Sequence, residues 1–211
     1  MIKNPTFDYE KQYWDEGVKL IAGVDEVGMG ALAGPVAAAA VVFNRDVKIQ
    51  TATVAIRDSK QLSEKQRVKA AKWIKENAAA WAVGEASIEE ITELNILRAS
   101  HLAMQRAVKG LPVQPDLLLI DGRPAKINTV MPRINIIKGD SLSLSIAAAS
   151  IMAKVYRDGL MIELDKKYPA YGFASHKGYG SLTHRMALKK YGAVPCHRPT
   201  YEPVLQVLDR G

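Results

Sequence analysis

The segment that most limits how this chain can fold spans residues 20–43. Within it two apolar runs, 20–27 and 36–43, flank a turn built on Gly28, Gly30, Gly34 and Pro35. Short apolar runs bounded by glycine and proline read as buried strands. Yet Asp25 and Glu26 stand side by side near the end of the first run. Side chains alternate across a strand, so at least one of these carboxylates faces the buried side. An ionised acid there is costly without a partner, and no lysine or arginine lies within several residues to supply one. Something cationic has to come from elsewhere.

Downstream, residues 51–56 read as a third extended segment leading into Arg57-Asp58-Ser59-Lys60. Ser63 and Gln66 then have capping-box spacing for a helix through about residue 77. Strand-like residues return at 81–87. Over 88–108 the positions Ile91, Leu94, Leu97, His101, Met104 and Val108 recur at three or four residues, the stripe of one amphipathic helix closed by Gly110 and Pro112. Residues 116–122 form an apolar run ending on Asp121-Gly122, and 133–138 supply another short strand. Gly139-Asp140-Ser141 is a helix-start signal before a long helix over 146–165, whose alanine-rich first turns suit close packing on a sheet. Pro169 and Gly172 end that helix; 168–180 reads as a loop and 181–191 as a short basic helix. This mixture predicts a single α/β domain over 1–211, with a core at about 18–168 and a helical C-terminal segment at about 169–211.

Charge narrows the function. The 211 residues carry 29 Lys plus Arg against 22 Asp plus Glu, a net charge of +7 that suits an anionic partner such as nucleic acid. From Lys154 to Arg198 nine basic residues stand against three acids, an excess that fits a duplex-binding surface. The lone cysteine, Cys196, excludes an intramolecular disulfide and fits a reducing compartment. Charges scattered through the first twenty residues argue against a secretory signal, so a cytoplasmic location is expected. The longest uncharged run, 27–44, is interrupted by glycine and proline and is a poor membrane span. His176, His184 and His197 lack zinc-ligand spacing with Cys196 and read as surface or substrate-facing, while His101 reads as helix packing.

Asp121 repeats the pattern of Asp25 at the end of a second strand, and Asp140 repeats it at the head of a helix. Taken alone, Asp121-Gly122 also reads as a turn and Asp140 as an N-cap. Four carboxylates gathered at the ends of core elements would repel one another, and a hard divalent cation such as Mg²⁺ or Mn²⁺ is the natural compensation.

Gly23-Val24-Asp25-Glu26-Val27-Gly28, continuing to Leu32-Ala33-Gly34-Pro35-Val36, resembles the opening motif of ribonuclease HII, the bacterial type 2 ribonuclease H. Asp58-Ser59-Lys60 with Leu62-Ser63, Asn95-Ile96-Leu97, Ile120-Asp121-Gly122, Lys138-Gly139-Asp140-Ser141, Ala147 to Lys154 with Arg157-Asp158, and Tyr171-Gly172-Phe173 with His176-Lys177-Gly178-Tyr179 match that family in order. The resemblance implies a ribonuclease H-like mixed sheet flanked by helices. It also implies an endonuclease that hydrolyses the RNA strand of RNA–DNA hybrids and cuts 5′ of ribonucleotides embedded in duplex DNA. Carried across by motif, Asp25, Glu26, Asp121 and Asp140 would be the catalytic, metal-binding carboxylates, with two cations about 4 Å apart serving the two sides of the scissile phosphate. Asp158 stays outside that set, since Lys154 can pair with it one helical turn away.

The same resemblance assigns substrate contacts to Gly28, Met29 and Gly30, where bare backbone can approach a ribose 2′-hydroxyl. The family usually reads Gly-Arg-Gly there, so Met29 removes a cation and predicts weaker or altered junction binding. Tyr179 matches a tyrosine that stacks on the neighbouring sugar. Lys60, Lys177, Arg185, Lys189 and Lys190 are candidates for phosphate contacts, and each also reads as a solvated surface charge. A monomer is expected. Two rivals remain: a nucleic-acid-binding protein without catalysis, and a dinucleotide-binding oxidoreductase suggested by the glycine spacing after the first strand. Against the latter, Asp25 and Glu26 would repel a pyrophosphate.

Overall fold

A computed structural model describes residues 4–124 and 127–209. Five strands, β1 (Ile21–Val27), β2 (Val36–Val42), β3 (Ala80–Ala86), β4 (Leu117–Asp121) and β5 (Arg133–Ile136), form one sheet in the order β3-β2-β1-β4-β5. The first three are antiparallel neighbours, whereas β4 lies parallel to β1 and β5 parallel to β4. Every residue of β2 is buried, because helices cover both faces of the sheet. Alternation decides which side each residue serves. Ile21, Ala39, Val41 and Leu119 pack under α1 (Asp8–Asp15), α2 (Glu64–Asn77) and α5 (Leu144–Lys167), while Ala22, Val24, Ala38, Ala40 and Ile120 pack under α4 (Ile96–Lys109).

Two local devices bring α5 onto the sheet. A Cβ on Gly23 would sit 2.1 Å from the Ser145 carbonyl carbon, so only glycine lets the first turn of α5 lie directly on β1. Ser143 caps that turn by accepting from the Ile146 N–H, and buried Glu10 of α1 accepts from the Ser143 hydroxyl at 2.6 Å and the Ser145 N–H at 2.9 Å. Asp140 lies upstream in a 3₁₀ turn (Gly139–Ser141) and does not cap α5. The helix starts two residues earlier than its alanine run suggests.

A third apolar cluster unites the C-terminal segment with the β1–β2 turn. Leu32, Ala33, Met161, Tyr171, Phe173, Leu188 and Val204 draw on that turn, the end of α5, α6 (Phe173–His176), α7 (Leu182–Tyr191) and α8 (Glu202–Leu208). His184 and His197 are buried there with their Nε2 atoms 3.1 Å apart, not surface groups as their polarity suggests. Phe173 lies edge-on to His184, and that aromatic packing excludes water from both imidazoles. Arg210 and Gly211, at the end of this segment, lie outside the described residues.

Elsewhere three expectations fail for physical reasons. Residues 51–56 form no strand; Val54 and Ile56 use their alternation to pack against the α2–α5 layer. The single helix over 88–108 is two, α3 (Ile88–Leu94) and α4, broken at Asn95 with φ +68°. The Asn95 side chain accepts from the N–H groups of Leu97 and Arg98 and so caps the second helix. As a result Leu97 turns to solvent, and α4 buries Ala99, Ala103, Met104, Ala107 and Val108. The 168–180 loop contains a 3₁₀ turn (Pro169–Tyr171) and α6. Among the described residues no helix is long and apolar enough to cross a membrane.

Candidate active site

Parallel pairing of β1 with β4 matches Val24 to Ile120, so Asp25 and Asp121 are the next residues at one end of two neighbouring strands. In open α/β sheets this carboxyl edge is where ligands bind. Asp25 is buried and Glu26 partly so, with the Glu26 N–H donating to Asp25 Oδ1 at 2.8 Å. Beyond β5, the Gly139 N–H donates to Asp121 Oδ1 at 2.6 Å. That bond ties the end of β4 to the 3₁₀ turn carrying Asp140, so acids 19 residues apart in sequence share one edge of the sheet. Lys60 Nζ, on an exposed side chain, stands 3.9 Å from Asp140 Oδ2.

The electrostatics follow from this placement. Burial pushes the Asp25 carboxyl well above its ordinary range, and the charges of Glu26, Asp121 and Asp140 push it further. Burial likewise raises Glu26 to about 7, reinforced by Asp121 and Asp140 and opposed by Lys60. Asp140 is raised by burial, then by Asp121 and Asp58. Desolvation works against the Lys60 charge, but Asp140, Asp58, Asp25 and Asp121 outweigh it and raise its pKa. The acids singled out from sequence therefore act on one another, and Asp58, which the sequence places in a motif but not among the site acids, adds to the effect at Asp140 and Lys60. Asp58 spends its Oδ1 on the Lys60 N–H, a bond that fixes the turn; in sequence this residue stands within the Asp58-Ser59-Lys60 motif with nothing local to assign it to the acids. Ser150, whose hydroxyl bonds to that of Ser59 at 3.0 Å and works against the rise at Asp25, was also missed within its alanine run.

The residues present suit a divalent cation. They offer only hard carboxylate oxygens, with repulsion that positive charge relieves. Among the described residues no three His, Cys, Asp or Glu side chains already form a cage around one point. Mg²⁺ needs no such cage, since it keeps waters and is held through one or two carboxylates together with substrate phosphate.

Beside the acids, the glycine turn is held from below. Gly28 has φ +97°, and a Cβ there would lie 2.2 Å from Arg157 Nε, so this position admits only glycine. Buried Arg157 donates to the carbonyls of Ala33, Pro35 and Lys177, each at 2.9 Å. Tyr179 pairs with Ala31 through an isolated bridge, and its ring lies 5.5 Å from the Arg157 guanidinium carbon and 5.8 Å from Lys154 Nζ. Gly30 is exposed and Met29 half-buried, its side chain packed on the α4-side core. Lys154 pairs with Asp158 at 2.6 Å. Arg185, Lys189 and Lys190 are exposed on α7. A solvent-facing ammonium at Lys177 is not found: the residue is buried, donating to the Ala174 carbonyl at 2.6 Å and lying 3.8 Å from Glu64. Three of the nine basic residues from Lys154 to Arg198 thus point inward, since Arg157, Lys177 and Arg198 are buried.

The dinucleotide reading fails on topology. After its glycine turn β1 runs into antiparallel β2, so no helix N-terminus follows to receive a pyrophosphate. A largely apolar hollow of about 580 Å³ lies between Ile88, Thr92, Val194 and Pro195, with Glu89 and Glu93 in its lining, and it includes none of Asp25, Glu26, Asp121 or Asp140.

A mixed five-stranded sheet of this order, helices on both faces and acids at the shared carboxyl edge define a ribonuclease H-like protein. Its fold is similar to that of the ribonuclease H2 from Pyrococcus horikoshii OT3, with a TM-score of 0.77 at 25% identity over 90% of this chain and 98% of that one. Residues 22–204 match the family model for ribonuclease HII, and the chain belongs to that family. It is 50% identical over 200 residues to the ribonuclease HII of Anaeromyxobacter sp. (strain Fw109-5), covering 95% of this chain and 62% of that relative's length. To the ribonuclease HII of Vibrio parahaemolyticus serotype O3:K6 it is 48% identical over 207 residues, covering 98% of this chain and 93% of the relative.

Proposed function

We propose that this chain is an endonuclease that hydrolyses the RNA strand of RNA–DNA hybrids and cuts on the 5′ side of ribonucleotides in duplex DNA, leaving 3′-hydroxyl and 5′-phosphate ends. The observation that carries this reading is the placement of Asp25, Glu26 and Asp121 at the ends of neighbouring parallel strands, with Asp140 tied to them by the Gly139–Asp121 bond, beside a backbone-only turn. These four acids would hold Mg²⁺ or Mn²⁺, which supplies an activated water and charge for the leaving 3′ oxygen. Asp121 is aimed by the Gly139 N–H and Asp25 by the Glu26 N–H, so neither carboxylate has to reorganise when substrate arrives. Gly28, Met29 and Gly30 offer backbone groups to the ribose 2′-hydroxyl, and Tyr179, next to that turn, offers a face to the adjoining sugar. Lys60 and the exposed α7 cations Arg185, Lys189 and Lys190 suit the phosphate backbone.

On this reading residues of about 18–168 hold the catalytic core and those from about 169 onward contribute to substrate grip. The protein acts as a monomer in the cytoplasm, where its single buried cysteine stays reduced. The test is cleavage of an RNA–DNA hybrid in Mg²⁺ or Mn²⁺ by wild type and by Asp121→Asn. Wild type is expected to cleave and the variant to lose activity roughly a thousand-fold. Because Met29 stands where the family usually has arginine, a binding protein without catalysis is the competing reading. A wild type that binds the hybrid without cutting it would favour that one.

A further inference from the structure

Arg198 is completely buried, and its Nε and Nη1 both reach the loop between β1 and β2 while Nη2 has no partner among the described residues. Its Nη1 donates to the Met29 carbonyl at 2.9 Å and to the Tyr201 hydroxyl at 3.1 Å. The Tyr201 hydroxyl donates to the same Met29 carbonyl at 2.8 Å. Arg198 Nε reaches the Gly34 carbonyl at 3.0 Å, and the Arg198 N–H reaches the Leu32 carbonyl at 2.8 Å. Its guanidinium carbon lies 5.2 Å from the centre of the Tyr201 ring, which adds a cation–π contact. One residue thus spans the loop from Met29 to Gly34, and the carbonyl at its exposed end receives two donors.

Burying a guanidinium is costly, and an apolar side chain would fill the space more cheaply. What the charge adds is a fixed backbone. The grip is on the peptide of residue 29 and not on its side chain, which packs separately against the α4-side core. The bonds that hold the turn here are therefore made to backbone and not to the Met29 side chain.

Building on the functional reading above, we infer that Arg198 and Tyr201 are positioning residues for ribose recognition. They lock the Met29 peptide so that the flexible Gly28 and Gly30 backbone meets a 2′-hydroxyl without first having to be ordered. Neither residue touches the substrate. Removing the Tyr201 hydroxyl leaves the Met29 carbonyl with Arg198 alone, and the turn regains freedom that ribose binding must then suppress.

The test measures binding in chelator, where no cleavage occurs. A DNA duplex with one ribonucleotide competes against the all-deoxy duplex of the same sequence for wild type, Tyr201→Phe and Arg198→Lys. Wild type is expected to prefer the ribonucleotide duplex. Tyr201→Phe is expected to lose about five-fold of that preference, the worth of one hydrogen bond, while keeping wild-type affinity for the all-deoxy duplex and a near-wild-type Tm. Arg198→Lys keeps the charge but loses the fork and is expected to lose at least as much; should it not fold, Tyr201→Phe decides alone. An unchanged preference in folded Tyr201→Phe overturns the inference and leaves the nuclease reading standing. A wild type with neither ribose preference nor hybrid cleavage overturns both.

Discussion

In metal-free protein, Glu26→Gln is expected to stabilise the fold at pH 8 while removing one of the four carboxylates proposed to hold the metal. The folded state raises the Glu26 carboxyl from 4.5 to about 7, through burial first and the charge of Asp121 second. A raised acid binds more protons folded than unfolded, so its contribution is most favourable below pH 4.5 and is lost as pH rises through 7. At about 1.4 kcal/mol per pKa unit, that difference costs the wild type roughly 3 kcal/mol at pH 8, and less than about 1 kcal/mol at pH 5. Glutamine carries no charge to desolvate. For a chain of this size the relief corresponds to a Tm gain of roughly 5–10 °C at pH 8, shrinking at pH 5. The assay is thermal unfolding by circular dichroism in excess chelator at both pH values. A variant no more stable than wild type at pH 8, or with the same gain at pH 5, would refute the claim that repulsion is stored at this edge.

Burial lowers His184 and His197 from 6.5 to about 4, the opposite sense. They stay neutral folded where the unfolded chain takes up protons, so their contribution is intact above pH 6.5 and is lost as pH falls toward 4. Urea unfolding of His184→Gln is expected to depend less on pH over that window than wild type, and an equal dependence contradicts the burial argument. Gly23→Ala places a methyl 2.1 Å from the Ser145 backbone and should cost roughly 3 kcal/mol in chemical unfolding; an unchanged midpoint would mean that α5 does not rest on β1 as described. Met29→Arg is expected to bind a hybrid more tightly in chelator and to steepen the log–log salt dependence by about 0.9 if one phosphate is gained. No change in that slope would place residue 29 away from the duplex.

The parts of the fold legible in sequence are those set by local rules. β1, β2 and β4 are continuous apolar runs with turn residues at their ends, and the Ser63–Gln66 capping box opens α2 as its spacing implies. Where a tertiary partner decides, the pattern misleads: 51–56 alternates like a strand but finds only a packing role. Asn95 breaks a helical stripe because its side chain satisfies the next helix better than a continued turn would. For the site, the Asp25-Glu26 adjacency is visible at once, whereas Asp121 and Asp140 pass equally for a turn and a cap until the parallel register and the Gly139–Asp121 bond unite them. The buried cations are the deepest blind spot. Composition counts charge without direction, so Lys177 reads as a phosphate contact, and Arg157 and Arg198 swell the basic excess, until their carbonyl partners are seen.

Titration calorimetry of Mn²⁺ into wild type and Asp121→Asn asks most directly whether distant acids build one cation site. Wild type is expected to bind the ion saturably, and Asp121→Asn to bind it at least ten-fold more weakly while remaining folded. Equal affinity in the two proteins, or no binding by wild type at millimolar Mn²⁺, would contradict the account.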